Sequence, residues 1–182
     1  ANEGKTFFIA IWAAGFLLLV KSKKAKVYQS LAVVFSVVAL LPYAGISFFS
    51  EMGIGYIDIE QCLTELPTWQ TMTTQNRIAF FWWIAAVLFT LVLLWKVTGH
   101  SVFISMVFLG GIASEAVLHF SPTIYASGAR VYYLTDLMYL FIILWMVMRM
   151  DSEKKKNLFI AGAAALGIIN FLSQYSIMLL KL

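Results

Sequence analysis

The segment that decides the fold is Ile78–Gly99, which reads IAFFWWIAAVLFTLVLLWKVTG and carries one charge, Lys96, near its end. A bilayer hydrocarbon core is roughly 30 Å thick, and an α-helix of about 20 apolar residues crosses it. The segment has this length and composition. It therefore predicts a membrane-spanning helix that ends close to Lys96.

Similar apolar runs occur along the whole chain. They predict further spans at about Thr6–Val20, Tyr28–Ser50, Val102–Phe120, Val131–Met150 and Leu158–Leu180. The 182-residue chain is 62% hydrophobic and 12% charged, whereas soluble domains average about 45–50% apolar and about 25% charged residues. We expect an all-α polytopic membrane bundle of about six transmembrane helices, forming a single domain over residues 1–182. The first run is short, so a tilted, interfacial or truncated helix is an open interpretation.

Basic residues predict the orientation, because cytoplasmic loops are enriched in Lys and Arg. Nine of the thirteen basic residues fall on one side of the alternating spans: Lys21, Lys23, Lys24, Lys26, Lys96, Arg149, Lys154, Lys155 and Lys156. This side is predicted to be cytoplasmic, with both termini on the other face of a bacterial inner membrane. The net charge of +4 is explained by these juxtamembrane anchors, so nucleic acid is not an expected partner.

The chain begins with Ala1, and its first basic loop follows the first apolar run. A signal peptide has its positive region ahead of the apolar core. Both a short external tail and the C-terminal part of a longer membrane protein are consistent with this start. Cys62 is the single cysteine, so no intrachain disulfide is expected.

The longest polar stretch is the predicted outer loop Glu51–Arg77. Apolar residues alternate there with Asp58 and Glu60, and Trp69 follows Pro67. This pattern predicts a helix lying in the outer interface, with Trp69 at headgroup depth. The loop is either a connector or a lid that turns Asp58 or Glu60 toward a lipid-fed cavity.

The insert between the fourth and fifth spans, SPTIYASGAR at residues 121–130, has the strongest functional signal. Ser127 and Gly128 are small enough for a ligand to approach the backbone, and Gly128 permits the turn into the next span. Arg130 then precedes a helix N-terminus, where free N–H groups favour anions. Tyr125 adds a hydroxyl nearby. A tight interfacial turn with a snorkelling Arg130 is the alternative interpretation.

Ionisable residues flank this insert at predicted membrane depth, where such groups are costly and mark functional sites. Glu115 and His119 are four residues apart and share a helical face, with Gly110 and Gly111 one turn away allowing close packing. Asp136 is expected about two turns into the fifth span. These groups could brace the bundle, act as a base or position a ligand. Two candidate metal ligands without a third predict no metal site, although a divalent cation is left open.

The string SPTIYASGAR, following an acid-bearing span and preceding an aromatic-rich one, resembles the C-terminal half of bacterial GT-C-type membrane glycosyltransferases. It is most similar to the O-antigen glucosyltransferase-like branch. The resemblance covers about Gly110–Asp136, and the other spans match in hydropathy alone. It implies a polyprenyl-phosphate-linked sugar donor that enters from the membrane, with transfer on the extracytoplasmic side.

On this resemblance Arg130 would hold the lipid phosphate, with Tyr125, Ser127, Gly128 and His119 as further substrate-binding candidates. The candidate catalytic acids are Glu115, Asp136 and Asp58. Enzymes of the class carry a paired acidic motif in an early external loop, and no such pair occurs in this chain. The catalytic acid is therefore unassigned, and no organic cofactor is expected.

Two other classes of function remain open. In a transporter or flippase-like protein, Glu115, His119 and Asp136 would relay protons or hold an anion. A non-catalytic membrane subunit would need another chain, or a missing N-terminal half, as its partner. Membrane lipids are expected partners in every case.

Overall fold

The computed structural model describes residues 3–22, 25–40, 74–119 and 133–179. Within these ranges there are six α-helices and no strand. The helices are α1 (Glu3–Leu19), α2 (Lys26–Leu40), α3 (Thr74–Val97), α4 (Val102–His119), α5 (Tyr133–Met148) and α6 (Glu153–Leu179). The predicted all-α class is confirmed for this part of the chain, and each predicted span contains one helix.

The helix bounds differ from the predicted spans mainly at the ends. The second span was predicted to run to Ser50, and its helix is described as far as Leu40. The last helix begins earlier than expected, at Glu153, because Ser152 accepts backbone hydrogen bonds from Lys155 and Lys156 in its first turn. The predicted interfacial helix falls in residues 41–73, outside the described residues.

One helix has the length and composition needed to cross a membrane, at Arg77–Val97 within α3. Only 39% of its most apolar window is buried inside the structure. The apolar parts of four other helices are shorter, at Thr6–Leu19, Lys26–Leu40, Val102–Ser114 and Tyr133–Met148. By this criterion, one helix among the described residues is both long enough and apolar enough to cross a membrane.

The first helix lies at the centre of the packing. It contacts α2, α3, α5 and α6, whereas α4 packs mainly on α3 and α5. Ile11, Trp12 and Ala14 on α1 are completely buried. This helix therefore lies in the interior of the bundle, and its position relative to a membrane stays a prediction.

An aromatic cluster surrounds Trp12. The ring of Phe35 on α2 stacks on Phe89 of α3 with 4.6 Å between centroids and on Trp82 with 4.9 Å. Trp12 contacts Phe35 edge-on, and its Nε1 donates a 2.8 Å hydrogen bond to Thr90 Oγ1 on α3. Since Thr90 is also fully buried, this bond satisfies an indole N–H that has no access to solvent.

The basic residues gather at one end of the bundle. Lys155 Nζ at the start of α6 donates to the carbonyl oxygen of Leu17 near the end of α1, at 2.6 Å. Gln29 Nε2 donates to the Leu19 carbonyl oxygen, also at 2.6 Å. Lys96 at the end of α3 lies 5.8 Å from the ring centre of Tyr28 on α2. The described ends of four helices, α1, α2, α3 and α6, therefore meet here, and we refer to this region as the basic end.

We predict that Trp12 and Thr90 are energetically coupled. Thr90→Val removes the acceptor and leaves the buried indole N–H unsatisfied, whereas in a Trp12→Phe background no donor remains to be lost. Interhelical hydrogen bonds in membrane bundles contribute on average about 0.6 kcal/mol and at most about 1.7 kcal/mol. A double-mutant cycle on the free energy of unfolding should give a coupling in this range. Strict additivity of the two substitutions would show that the bond contributes nothing.

Candidate functional site

The candidate site lies where α4 ends and α5 begins, and a close helix contact builds it. A Cβ added to Gly111 would approach Tyr139 Cε1 to 2.9 Å, which is closer than real Cβ atoms come. Thr135 Oγ1 donates to the Gly111 carbonyl oxygen at 3.3 Å, and Thr135 is fully buried. The small residue predicted to allow a close neighbour does so, since α5 packs directly on the α4 backbone at Gly111.

This contact fixes the register of the two antiparallel helices. With Gly111 opposite Thr135 in the first described turn of α5, the α4 backbone at Glu115 lies about one turn further toward this end of the pair. His119 is the last residue of α4. Both residues therefore occupy the end of the α4–α5 pair opposite the basic end, which we refer to as the acidic end.

Asp136 lies in the first turn of α5 and is half-buried. It was expected about two turns into a span that begins at Val131. The helix is described from Tyr133, and residues 131 and 132 lie outside the described residues.

The structure describes the remaining candidate residues to different extents. Glu115 and His119 are placed by their backbone on α4, and the structure describes no contact of their side chains. Five candidates lie outside the described residues, namely Asp58, Tyr125, Ser127, Gly128 and Arg130. Of the sequence-predicted residues, the structure thus brings Glu115, His119 and Asp136 to one end of one helix pair.

Thr135 is a residue of this site that the sequence did not single out. It immediately precedes Asp136, and its bond to Gly111 sets the position of the α5 N-terminal turn. A hydroxyl residue within an apolar helix, opposite a pair of glycines, was the available signal, because hydroxyls in such helices bond across to neighbouring backbones.

Among residues 3–22, 25–40, 74–119 and 133–179, no group of three or more His, Cys, Asp or Glu could hold a metal ion. Comparison of the chain with protein-family models, with curated proteins and with solved structures finds no match.

The two adjacent glycines of α4 provide a test of this packing. Gly111→Ala should destabilise the protein by about 1–3 kcal/mol, because its Cβ would collide with a ring that has no room to move. Tyr139 is 1% exposed and packs against Phe7, Phe8 and Phe108. The measurement is thermal unfolding of the purified protein.

Gly110→Ala is the matched control, since its Cβ would lie 3.7 Å from Met138 Sδ at ordinary contact distance. It should be neutral, or more stable by up to about 1 kcal/mol through the higher helix propensity of Ala. Equal unfolding temperatures for the two variants would contradict the close approach at Gly111.

Proposed function

We propose that the chain is a polytopic membrane bundle. Large apolar side chains are exposed on all five helices from α2 to α6, including Val34, Phe81, Phe103, Leu137 and Ile160. Water would penalise such a surface, since soluble monomers rarely expose large contiguous apolar patches. A hydrocarbon environment does not penalise an exposed apolar surface. The mostly unburied apolar surface of α3 supports the same conclusion, because the core helix of a soluble protein would be covered.

Within the bundle, we propose a glycosyltransferase or its C-terminal module, with Arg130 holding the phosphate of a polyprenyl-linked sugar at the extracytoplasmic face. The observation that carries this proposal is the α4–α5 packing at Gly111 and Thr135. Glu115 and His119 follow Gly111 on α4 toward the end of that helix, and α5 is described from Tyr133, three residues after Arg130. The connection between the two helices in the sequence therefore links the candidate acid–base residues to the predicted anion-binding segment.

The chemistry follows from these residue types. The acceptor hydroxyl oxygen forms a bond to the anomeric carbon of the sugar as the bond from that carbon to the phosphate oxygen breaks. The lipid phosphate leaves with the bonding electron pair, and the Arg130 guanidinium stabilises the charge that develops on it. A carboxylate takes the hydroxyl proton, and Glu115 and Asp136 are the candidates near the α5 N-terminus.

The interior favours this proposal over a transporter. A transport pathway for protons or anions has to continue through the bundle and reach both faces. Within the described ranges, the buried residues with a polar side-chain atom are Trp12, Thr90, Thr98, Thr135 and Tyr139, and none of these is a carboxylic acid, a histidine or a cation. Thr90 is bonded within the aromatic cluster, and Thr135 is bonded to the α4 backbone.

Arg130→Lys tests the phosphate role. A lysine ammonium lacks the planar fork that binds phosphate through paired hydrogen bonds. Losing a charge-assisted contact costs roughly 1.5–3 kcal/mol, which corresponds to about tenfold to a hundredfold in affinity. We expect polyprenyl-phosphate binding to weaken by at least about tenfold in Arg130→Lys, with the unfolding temperature near that of the wild type. Arg130→Ala should bind less well still.

Arg149→Lys is the matched control, because the Arg149 guanidinium lies at the basic end, 4.2 Å from the Trp145 ring centre. It should leave lipid-phosphate affinity unchanged. Equal affinity in the wild type and Arg130→Lys would contradict the proposal. Unfolding of both Arg130 variants would instead indicate a structural ion pair with Glu115 or Asp136.

A further inference from the structure

An apolar cleft opens between α1, α2 and α6, on the side of the bundle away from α4. Its volume is about 450 Å³, within the roughly 300–1,000 Å³ range of ligand pockets. Apart from the Ser36 hydroxyl and the Trp12 indole N–H, its lining side chains are apolar. The lining includes Leu17 on α1, Val37 on α2, and Leu158, Phe159 and Gly162 on α6.

On α1 and α6, lysines at the basic end lie one turn away from residues that line the cleft. On α6, Lys154 lies one turn before Leu158, and Leu158 lies one turn before Gly162, so the three share a face. Lys21 follows Leu17 by four residues, just beyond the end of α1. Lys21 and Lys154 are both exposed. An apolar cleft with two accessible ammonium groups at one mouth has the polarity of an anionic lipid, whose tail is apolar and whose phosphate is charged.

Nearby acidic groups leave this mouth positive. Glu153 is exposed and pairs with Lys156 Nζ at 2.8 Å, and Asp151 is exposed on the connection before α6. Lys155 donates a hydrogen bond to the Leu17 carbonyl oxygen. It therefore adds positive charge to the mouth and also satisfies a carbonyl group near the end of α1. Four positive and two negative charges surround the mouth, so its net charge is +2. They belong to Lys21, Lys154, Lys155 and Lys156, and to Asp151 and Glu153.

The length and polarity of the cleft favour a lipid as its occupant. The lining residues extend over two turns of α1, from Ala10 to Leu17. An acyl chain can follow this apolar length while the phosphate attached to it stays at the mouth, beside Lys21 and Lys154.

We propose that this cleft binds one anionic phospholipid from the leaflet at the basic end, with an acyl chain along α6 and the phosphate between Lys21 and Lys154. This site is separate from the proposed Arg130 site and lies at the opposite end of the bundle. It rests on the membrane embedding proposed above, and it does not depend on glycosyl transfer.

Native mass spectrometry of the detergent-solubilised full chain tests the proposal, with phosphatidylglycerol and phosphatidylcholine of identical acyl chains as probes. We expect one phosphatidylglycerol to bind, at least about tenfold more tightly than phosphatidylcholine. The double variant Lys21→Ala/Lys154→Ala should remove that preference. Lys96→Ala removes a charge from the same end, but Lys96 is not near the residues that line the cleft in sequence. This variant should retain the preference for phosphatidylglycerol.

The tail site is tested by Gly162→Leu, since a Cβ at Gly162 meets open space in the cleft. The variant should lower the affinity for both phospholipids by about tenfold or more, because the added side chain occupies the acyl-chain position. Gly167→Leu is the matched control, as Gly167 also faces open space on α6 and is not part of the lining. It should bind as the wild type does.

Three results would overturn this inference. The first is equal binding of the two phospholipids by the wild type. The second is unchanged phosphatidylglycerol binding in both the lysine pair variant and Gly162→Leu. The third is a result that assigns the cleft to another occupant. Such a result would be lysine-dependent competition of polyprenyl phosphate with phosphatidylglycerol, or a dimer that Gly162→Leu abolishes. Arg130→Lys should not change phosphatidylglycerol binding, so failure here is distinguishable from failure of the proposed transferase.

Discussion

The central constraint in the bundle is a buried hydrogen bond from the indole N–H of Trp12 on α1 to Thr90 on α3. In an apolar interior no water can accept this hydrogen bond, and an unmet donor there costs several kcal/mol on transfer scales. Thr90 supplies the acceptor, which holds α1 against α3. The bond lies on the helix that also contacts α2, α5 and α6 and that lines the cleft.

The bundle has two chemically different ends. At the basic end, Lys155 and Gln29 bond to carbonyl groups near the end of α1. At the acidic end, the contact of Gly111 with Thr135 joins α4 to the first described turn of α5, which contains Asp136, and Glu115 lies about one turn beyond Gly111 on α4. In the proposed function, the basic end faces anionic headgroups and the acidic end faces the charged substrate.

The sequence was sufficient to predict the helices but not their arrangement. Long apolar runs predict helices, and a described helix overlaps each of the six predicted spans. Nothing in the short run of α1 indicated that it would be central, since its burial comes from contacts with distant segments. At the site, Gly111 was predictable from its small size. The bond from Thr135 was not, because it depends on the register of two helices, and the anion site at Arg130 stays a prediction.

The central claim is that the bundle spans a membrane with its basic end inside and its acidic end outside. Single cysteines at Asp151 and at Tyr125, in a Cys62→Ser background, test it most directly in intact cells. A membrane-impermeant maleimide should label the cysteine at residue 125 from outside, and the one at residue 151 only after permeabilisation. Labelling of residue 151 in intact cells, or recovery of the protein in the aqueous fraction, would contradict the account.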